Sequence, residues 1–317
     1  MTYTADNLLL DLKRDSYIAA SQGNWADPDL LAIASDMITR RLAPMLWSLK
    51  QGYFKEHIDQ VLTALVGGYD MPSQAMWNKI HFVCLVDTSG NILDTPIRIE
   101  PLELPFQHSS TPGTPNAIYY EHAQYILDPV PNAAAAAAYT LRMFYARRPG
   151  TLVKAVQAAT VLSVNSGTGV VTYSAALPVA FGSTTQHDIY TSVSPYRRKN
   201  TKALTATALA GATQTFSLAD VAYFAAGDTV NMLEETIYPP VPKELYPSIV
   251  ELVIARISKS KGDRQAFEDA ASEIVKDGQS AMMVMSERDE GRPKKLSLLH
   301  SPFLRRAGRR GMPSTPR

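Results

Sequence analysis

The 317-residue chain has a single cysteine, Cys84. A lone thiol excludes an intrachain disulfide framework and a multi-thiolate zinc site, and its place in the run Phe82-Val83-Cys84-Leu85-Val86 reads as a small buried hydrophobe. Acidic residues stop at Glu290. Beyond it Arg292, Lys294, Lys295, Arg305, Arg306, Arg309, Arg310 and Arg317 form a basic tail, while residues 1–290 hold 23 basic against 30 acidic side chains, a net charge of −7. The overall charge of +1 conceals that segregation and excludes a uniform polycation for nucleic acid. No basic stretch followed by an apolar one opens the sequence, so no secretory signal is expected, and synthesis in the cytoplasm follows. The longest stretch without Asp, Glu, Lys or Arg, residues 155–187, is interrupted by Gly, Pro, Ser, Thr and Asn at a density no membrane-spanning helix carries.

Signatures of chemistry are equally scarce. Ser166-Gly167-Thr168-Gly169 has the glycines of a phosphate loop but no lysine behind them. His57, His81, His108, His122, His187 and His300 fall in no spacing that aims two ligands at one metal; His81 with Cys84 is only half of such a site. No Gly-x-Ser-x-Gly elbow is present, and the acidic pairs Glu234-Glu235 and Asp289-Glu290 are adjacent, so their side chains diverge. Neither an enzyme nor a cofactor is expected, and no metal site.

What is present is organisation. Residues 1–79 read as helical: Asp27-Pro28 is a start signal, with Asp27 as N-cap, and Leu31, Ala34, Ile38, Leu42, Met45, Leu46 and Leu49 form one apolar stripe that Pro44 should kink. Ile58, Val61, Leu62 and Leu65 extend the helical spacing to a stop at Gly67-Gly68. In residues 80–149 the period becomes two, as in Tyr139 to Tyr145, where Arg142 falls on the face opposite Leu141 and Met143. Ala133–Ala138 favours loop or strand in that context, although Asn132 could cap a short helix. Residues 150–235, with ten charged residues in the 87 from Pro149 to Glu235, read as an all-β module. Its hairpin at Asn165-Ser166-Gly167-Thr168 is faintly repeated around Gly211, and Gly227-Asp228-Thr229-Val230 echoes His187-Asp188-Ile189-Tyr190, which suggests two related units in a small sandwich or barrel. Helical spacing returns in residues 236–290, through Leu245, Ile249, Val253 and Ile257 to Gly262, then from Asp263 through Phe267, Ala270, Ala271, Ile274 and Val275. Residues 291–317 have no core of their own. The expected fold class is α+β: a helical bundle made by the two ends of the chain, β-strand regions inserted between them including the small module, and an extended C-terminal tail.

Two basic clusters are candidate sites. Arg197, Arg198, Lys199 and Lys202, in a loop of the β module beside Tyr196, could face a polyanion, although a solvated loop is the simpler reading. In the tail, Lys294, Lys295, Arg305, Arg306, Arg309 and Arg310 are interleaved with Leu298, Leu299, Phe303 and Leu304, a mixture suited to docking on another protein and ordering there.

The order of several short segments carries a resemblance: Tyr69-Asp70-Met71-Pro72, Gly113-Thr114-Pro115 with Tyr119-Tyr120, Leu127-Asp128-Pro129-Val130-Pro131, Leu141 to Tyr145 with Arg148-Pro149, Ile237 to Leu245 with its proline cluster, Gly262-Asp263, and Gly291 to Lys295. In these the chain resembles head-to-tail adaptor proteins of tailed bacteriophages, in a long form with the β module as an insertion. The resemblance implies a structural protein of the virion neck, assembled in the host cytoplasm: a dodecameric ring between the portal protein and a tail, nozzle or tail-hub protein, with transient contact to passing double-stranded DNA, no membrane contact and the C-terminal tail docked on the portal. The alternative is a receptor- or glycan-binding module on a helical base, which requires Tyr173, Tyr190, Tyr196 and Tyr223 to be exposed together as a stacking face.

Overall fold

The computed structural model describes residues 2–15, 25–49, 53–94, 97–98, 111–121, 124–193 and 196–262, with Gln265 and Glu268 beyond them. The tail residues 291–317, including every candidate docking residue, lie outside the described residues, as does the apolar series from Phe267 to Val275.

The chain opens with helices α1 (Ala5–Asp15) and α2 (Asp27–Met37). Asp27 is not the N-cap. That position is Ala26, and the Asp27 carboxylate is free to take ion pairs from Lys13, at 2.5 Å, and from Lys154. The expected kink at Pro44 takes the form of a π-helical turn, Ile38–Leu42, ahead of α3 (Ala43–Leu49). Proline has no N–H to return to the preceding turn, and the Ala43 N–H donates five residues back to the Ile38 carbonyl.

Residues 58–65 are not helical. Lys55–Val61 is strand β1, and Gly68 opens β2 (Gly68–Asp70) instead of ending a helix. The reason lies in the spacing: Ile58 and Leu62, four apart, point inward in either period, whereas Val61 and Leu65, which only the helical reading buries, are 76% and 72% exposed. The long strand β3 (Ala75–Asp87) turns through Asp87–Asn91 into β4 (Ile92–Asp94), followed by β5 (Ile97–Arg98), β6 (Ala117–Glu121) and β7 (Gln124–Asp128). The alanine run is a helix after all, α4 (Ala133–Ala138), because the Asn132 carboxamide accepts from the Ala135 N–H at 2.8 Å and six alanines then need no partner outside the turn. It leads directly into β8 (Tyr139–Arg147). Strands β1, β8, β3 and β4 form one sheet in that order, and β2, β7, β6 and β5 another; Leu62, Val83, Leu85, Leu141 and Met143 share a core with Tyr69, Ile118 and Leu127.

From β9 (Thr151–Leu152) the chain passes through β10 (Ala159–Asn165), β11 (Val170–Tyr173), β12 (Gln186–Tyr190), β13 (Leu204–Thr205), β14 (Ala208–Ala210), β15 (Thr213–Thr215), the short helix α5 (Leu218–Val221), β16 (Thr229–Met232) and β17 (Glu235–Thr236). Its two ends meet, since β9 pairs in parallel with β17. The seven strands between them make one sheet, ordered β13-β12-β16-β10-β11-β15-β14. The two echoing segments are direct neighbours, with Ile189 opposite Val230, and the two hairpins pair through β11 and β15. Val161, Val171, Ile189, Leu204, Phe216 and Val230, from both halves of the sheet, share a single core. At Gly169 the backbone has φ +73°, and a Cβ there would lie 2.3 Å from the Phe216 carbonyl oxygen. Only glycine fits.

Helix α6 (Tyr246–Lys261) ends at Gly262, whose φ of +76° closes the last turn. Its Ile249, Val253 and Ile257 pack with Leu8 and Leu12 of α1 and Leu30, Leu31 and Ala34 of α2, so the two ends of the described chain share one core. Leu152 of β9 enters that core, and its N–H donates to the Ser35 hydroxyl at 2.8 Å. The β-rich segment is thereby tied to the helices at its first strand.

Candidate assembly interface

Where the seven-stranded sheet meets the helical and β body, four charged side chains alternate. Asp188, on β12, has a fully buried carboxylate. Its Oδ2 accepts from Arg147 Nη2 at 2.6 Å and from the Glu234 N–H at 3.0 Å; its Oδ1 accepts from Arg198 Nε at 2.7 Å and from Asn200 Nδ2 at 3.1 Å. Glu56, on β1, closes the ring, with Oε2 3.0 Å from Arg198 Nη1 and Oε1 3.6 Å from Arg147 Nη1. Both arginine side chains are almost fully buried, with 8% of Arg147 and 2% of Arg198 exposed.

Two cations face two anions, and each buried oxygen of Asp188 has two donors. That arrangement meets the condition under which a buried charge is tolerable, since an unpaired one would be desolvated at a cost of several kcal/mol. Burial alone pushes the Asp188 pKa up, but Arg147 and Arg198 outweigh it and hold the carboxyl below its usual range. The neighbouring His187 imidazole is wholly buried, with Nε2 3.0 Å from the Thr185 hydroxyl and 3.2 Å from Gln214 Nε2. Burial pushes its pKa down to about 4. It is neutral at ordinary pH.

Half of the basic loop is therefore spent inward, at Arg198 and Lys199. Arg198 is neither solvated nor facing a polyanion, because its guanidinium serves Asp188 and Glu56. Lys199 pairs with Asp228 at 2.6 Å and Lys202 with Asp220 at 2.6 Å. Arg197 is exposed and, of the four, alone makes no ion pair among the described residues. Nothing in the sequence flagged this network, because Glu56, Arg147, Asp188 and Arg198 are scattered over 142 residues.

The four tyrosines do not form a face. Tyr173 and Tyr190 are buried, Tyr223 packs against the sheet core, and Tyr196 stacks on Tyr238 with ring centroids 3.9 Å apart. Cys84 is buried and burial pushes its thiol pKa up, while His81 turns to stack on Trp47 at 4.3 Å, so the two do not converge. Among the described residues no cluster of three or more His, Cys, Asp or Glu could hold a metal, and no helix is long and apolar enough to cross a membrane.

Above the charged ring lies a cleft of about 440 Å³, bounded by the start of β1, the segment after β8, the loop carrying Tyr196 and Arg197, and the prolines before α6. The cleft joins parts of the chain that are distant in sequence but interlocked by ion pairs.

The fold is mixed α+β, with buried charges fastening one part of it to another. The family model described as SU10 adaptor protein matches residues 3–177, more than half of the chain, and the chain belongs to that family of structural phage adaptors. The matched span takes in the N-terminal helices, both four-stranded sheets, the Asp128-Pro129 region and the first hairpin of the seven-stranded sheet. No curated protein matches the chain.

Proposed function

We propose that the chain is the head-to-tail adaptor that forms a ring, twelve copies in number, between the portal and the tail or nozzle of a tailed phage, and that the ring continues the DNA channel in the virion neck. The match to the adaptor family over residues 3–177 carries this reading. In it, the helices within residues 5–49 and 246–261 supply the helical part of each subunit, residues 55–147 its β region, which begins earlier than the sequence boundary at residue 80, and residues 150–235 an inserted module. The net charge of −7 over residues 1–290 suits a channel wall, because duplex DNA is held by phosphate contacts to Lys and Arg and passes freely where these are few.

The tail is the portal-docking element. Its eight positive charges and interleaved leucines and phenylalanine suit a segment that orders on a partner surface, with Leu298, Leu299, Phe303 and Leu304 as anchors and the arginines around them. Co-sedimentation of the chain with a cognate portal ring tests this. Full-length protein should travel with the portal, and a chain ending at Glu290 should stay behind while keeping the circular dichroism of the whole. Equal co-sedimentation of both forms would overturn the docking role.

A further inference from the structure

The cleft over the charged ring has an unbalanced rim. Its floor is neutral, since Arg147 and Arg198 are matched by Asp188 and Glu56. Its rim carries Lys55, Arg148, Arg197 and Lys243, all exposed, and none of them has an ion-pair partner among the described residues. Among the described residues Glu56 is the only carboxylate in the lining, and two arginines already share it; Glu244 stands beside the cleft, close enough to Tyr53 and Tyr246 to push their pKa values up. The walls are aromatic and proline-rich, formed by Tyr53, Tyr196, Tyr246 and the Pro239–Pro242 run.

The exposed cations Lys55, Arg148, Arg197 and Lys243 outnumber the carboxylates at the cleft and attract anions, and the shape selects among them. About 440 Å³ is the size of a small binding pocket and admits no duplex. Tyrosine and proline walls suit an extended peptide backbone, as aromatic grooves accept extended ligands, and carboxylates on the peptide would pair with the rim. We propose that this cleft docks an extended acidic peptide segment of a neighbouring neck protein. The proposal builds on the adaptor reading, but peptide binding is measurable on the chain alone, so its failure and the failure of portal attachment are separate results.

The probe is a fluorescein-labelled octapeptide, Glu-Pro-Asp-Glu-Tyr-Pro-Glu-Asp, followed by anisotropy against full-length protein at low salt. The same peptide with lysine at every acidic position and a labelled single-stranded DNA oligomer serve as controls. Arg197→Gln with Lys243→Gln should weaken binding of the acidic peptide at least tenfold. Lys202→Gln with Lys259→Gln, away from the cleft, should change it less than twofold. Lys55→Gln with Arg148→Gln gives the same readout should the first pair disturb folding. Absent peptide binding, equal loss in a cleft pair and in the distant Lys202 and Lys259 pair, tighter binding of the DNA, or self-association of the chain that Arg197→Gln with Lys243→Gln abolishes would each overturn the proposal.

Discussion

Arg198 Nη1 lies 3.0 Å from Glu56 Oε2, joining the seven-stranded sheet to the first strand of the body across 142 residues of sequence. The same guanidinium holds Asp188 through Nε, so one side chain fastens both a neighbouring strand and a distant one.

Asp188→Asn leaves Arg147 and Arg198 buried beside a neutral group, and breaking a buried pair in this way costs about 3–5 kcal/mol. Lys202→Ala removes an ion pair whose lysine is 56% exposed and should cost under about 1 kcal/mol. Urea denaturation of the two variants distinguishes a buried fastening from surface decoration; equal midpoints would show the Asp188 network to be energetically idle.

The loop that carries Arg198 separates into inner and outer residues. Arg197→Ala should leave stability within about 0.5 kcal/mol of the parent, as for an exposed side chain with no ion pair among the described residues. Arg198→Ala should approach the loss seen for Asp188→Asn, because it leaves the Asp188 carboxylate one cation short. Thermal melts of the two single variants make the comparison.

Acid should act through His187 first. Its folded pKa, about 4, lies below the ordinary 6.5, so the unfolded chain binds the proton more readily. Its contribution is fully present above pH 6.5 and declines as the pH falls toward 4, by about 3 kcal/mol in all. Asp188 adds a further loss below about pH 4, since its folded pKa is held under the usual carboxyl value. Stability measured from pH 7 to 4.5 should fall in the parent and stay nearly flat in His187→Gln. An identical slope in both would exclude the histidine as its source.

Gly169→Ala should be among the most damaging single changes in the seven-stranded sheet. The added Cβ meets backbone, the Phe216 carbonyl, at a position with positive φ, and a loss of about 2 kcal/mol or more is expected. Gly211→Ala, also at positive φ but with open space around it, should cost less. The two melting temperatures test whether contact or backbone strain dominates.

Local pattern made much of the architecture legible. The stripe Leu31, Ala34, Ile38 and Leu42 is buried as helical spacing predicts, and the turns at Asp87–Asn91 and Asn165–Thr168 join paired strands. Where two patterns coincide, reading failed: Ile58 and Leu62 satisfy both periods, and only pairing with β8 makes that segment a strand. Ala133–Ala138 failed the other way, because the period-two context outweighed the Asn132 cap that decides it. The charged ring was out of reach, since no local pattern connects Glu56 with Asp188. Arg198, read as a loop-tip charge, has its meaning only once the chain has brought Glu56 beside it.

Attachment of an adaptor ring to the portal through the basic tail can be counted by native mass spectrometry of the protein mixed with a cognate portal ring, with and without residues 291–317. Twelve copies of the full-length chain should be bound to the portal, and none of the shortened one. Binding that survives the truncation, or no binding by either form, would contradict it.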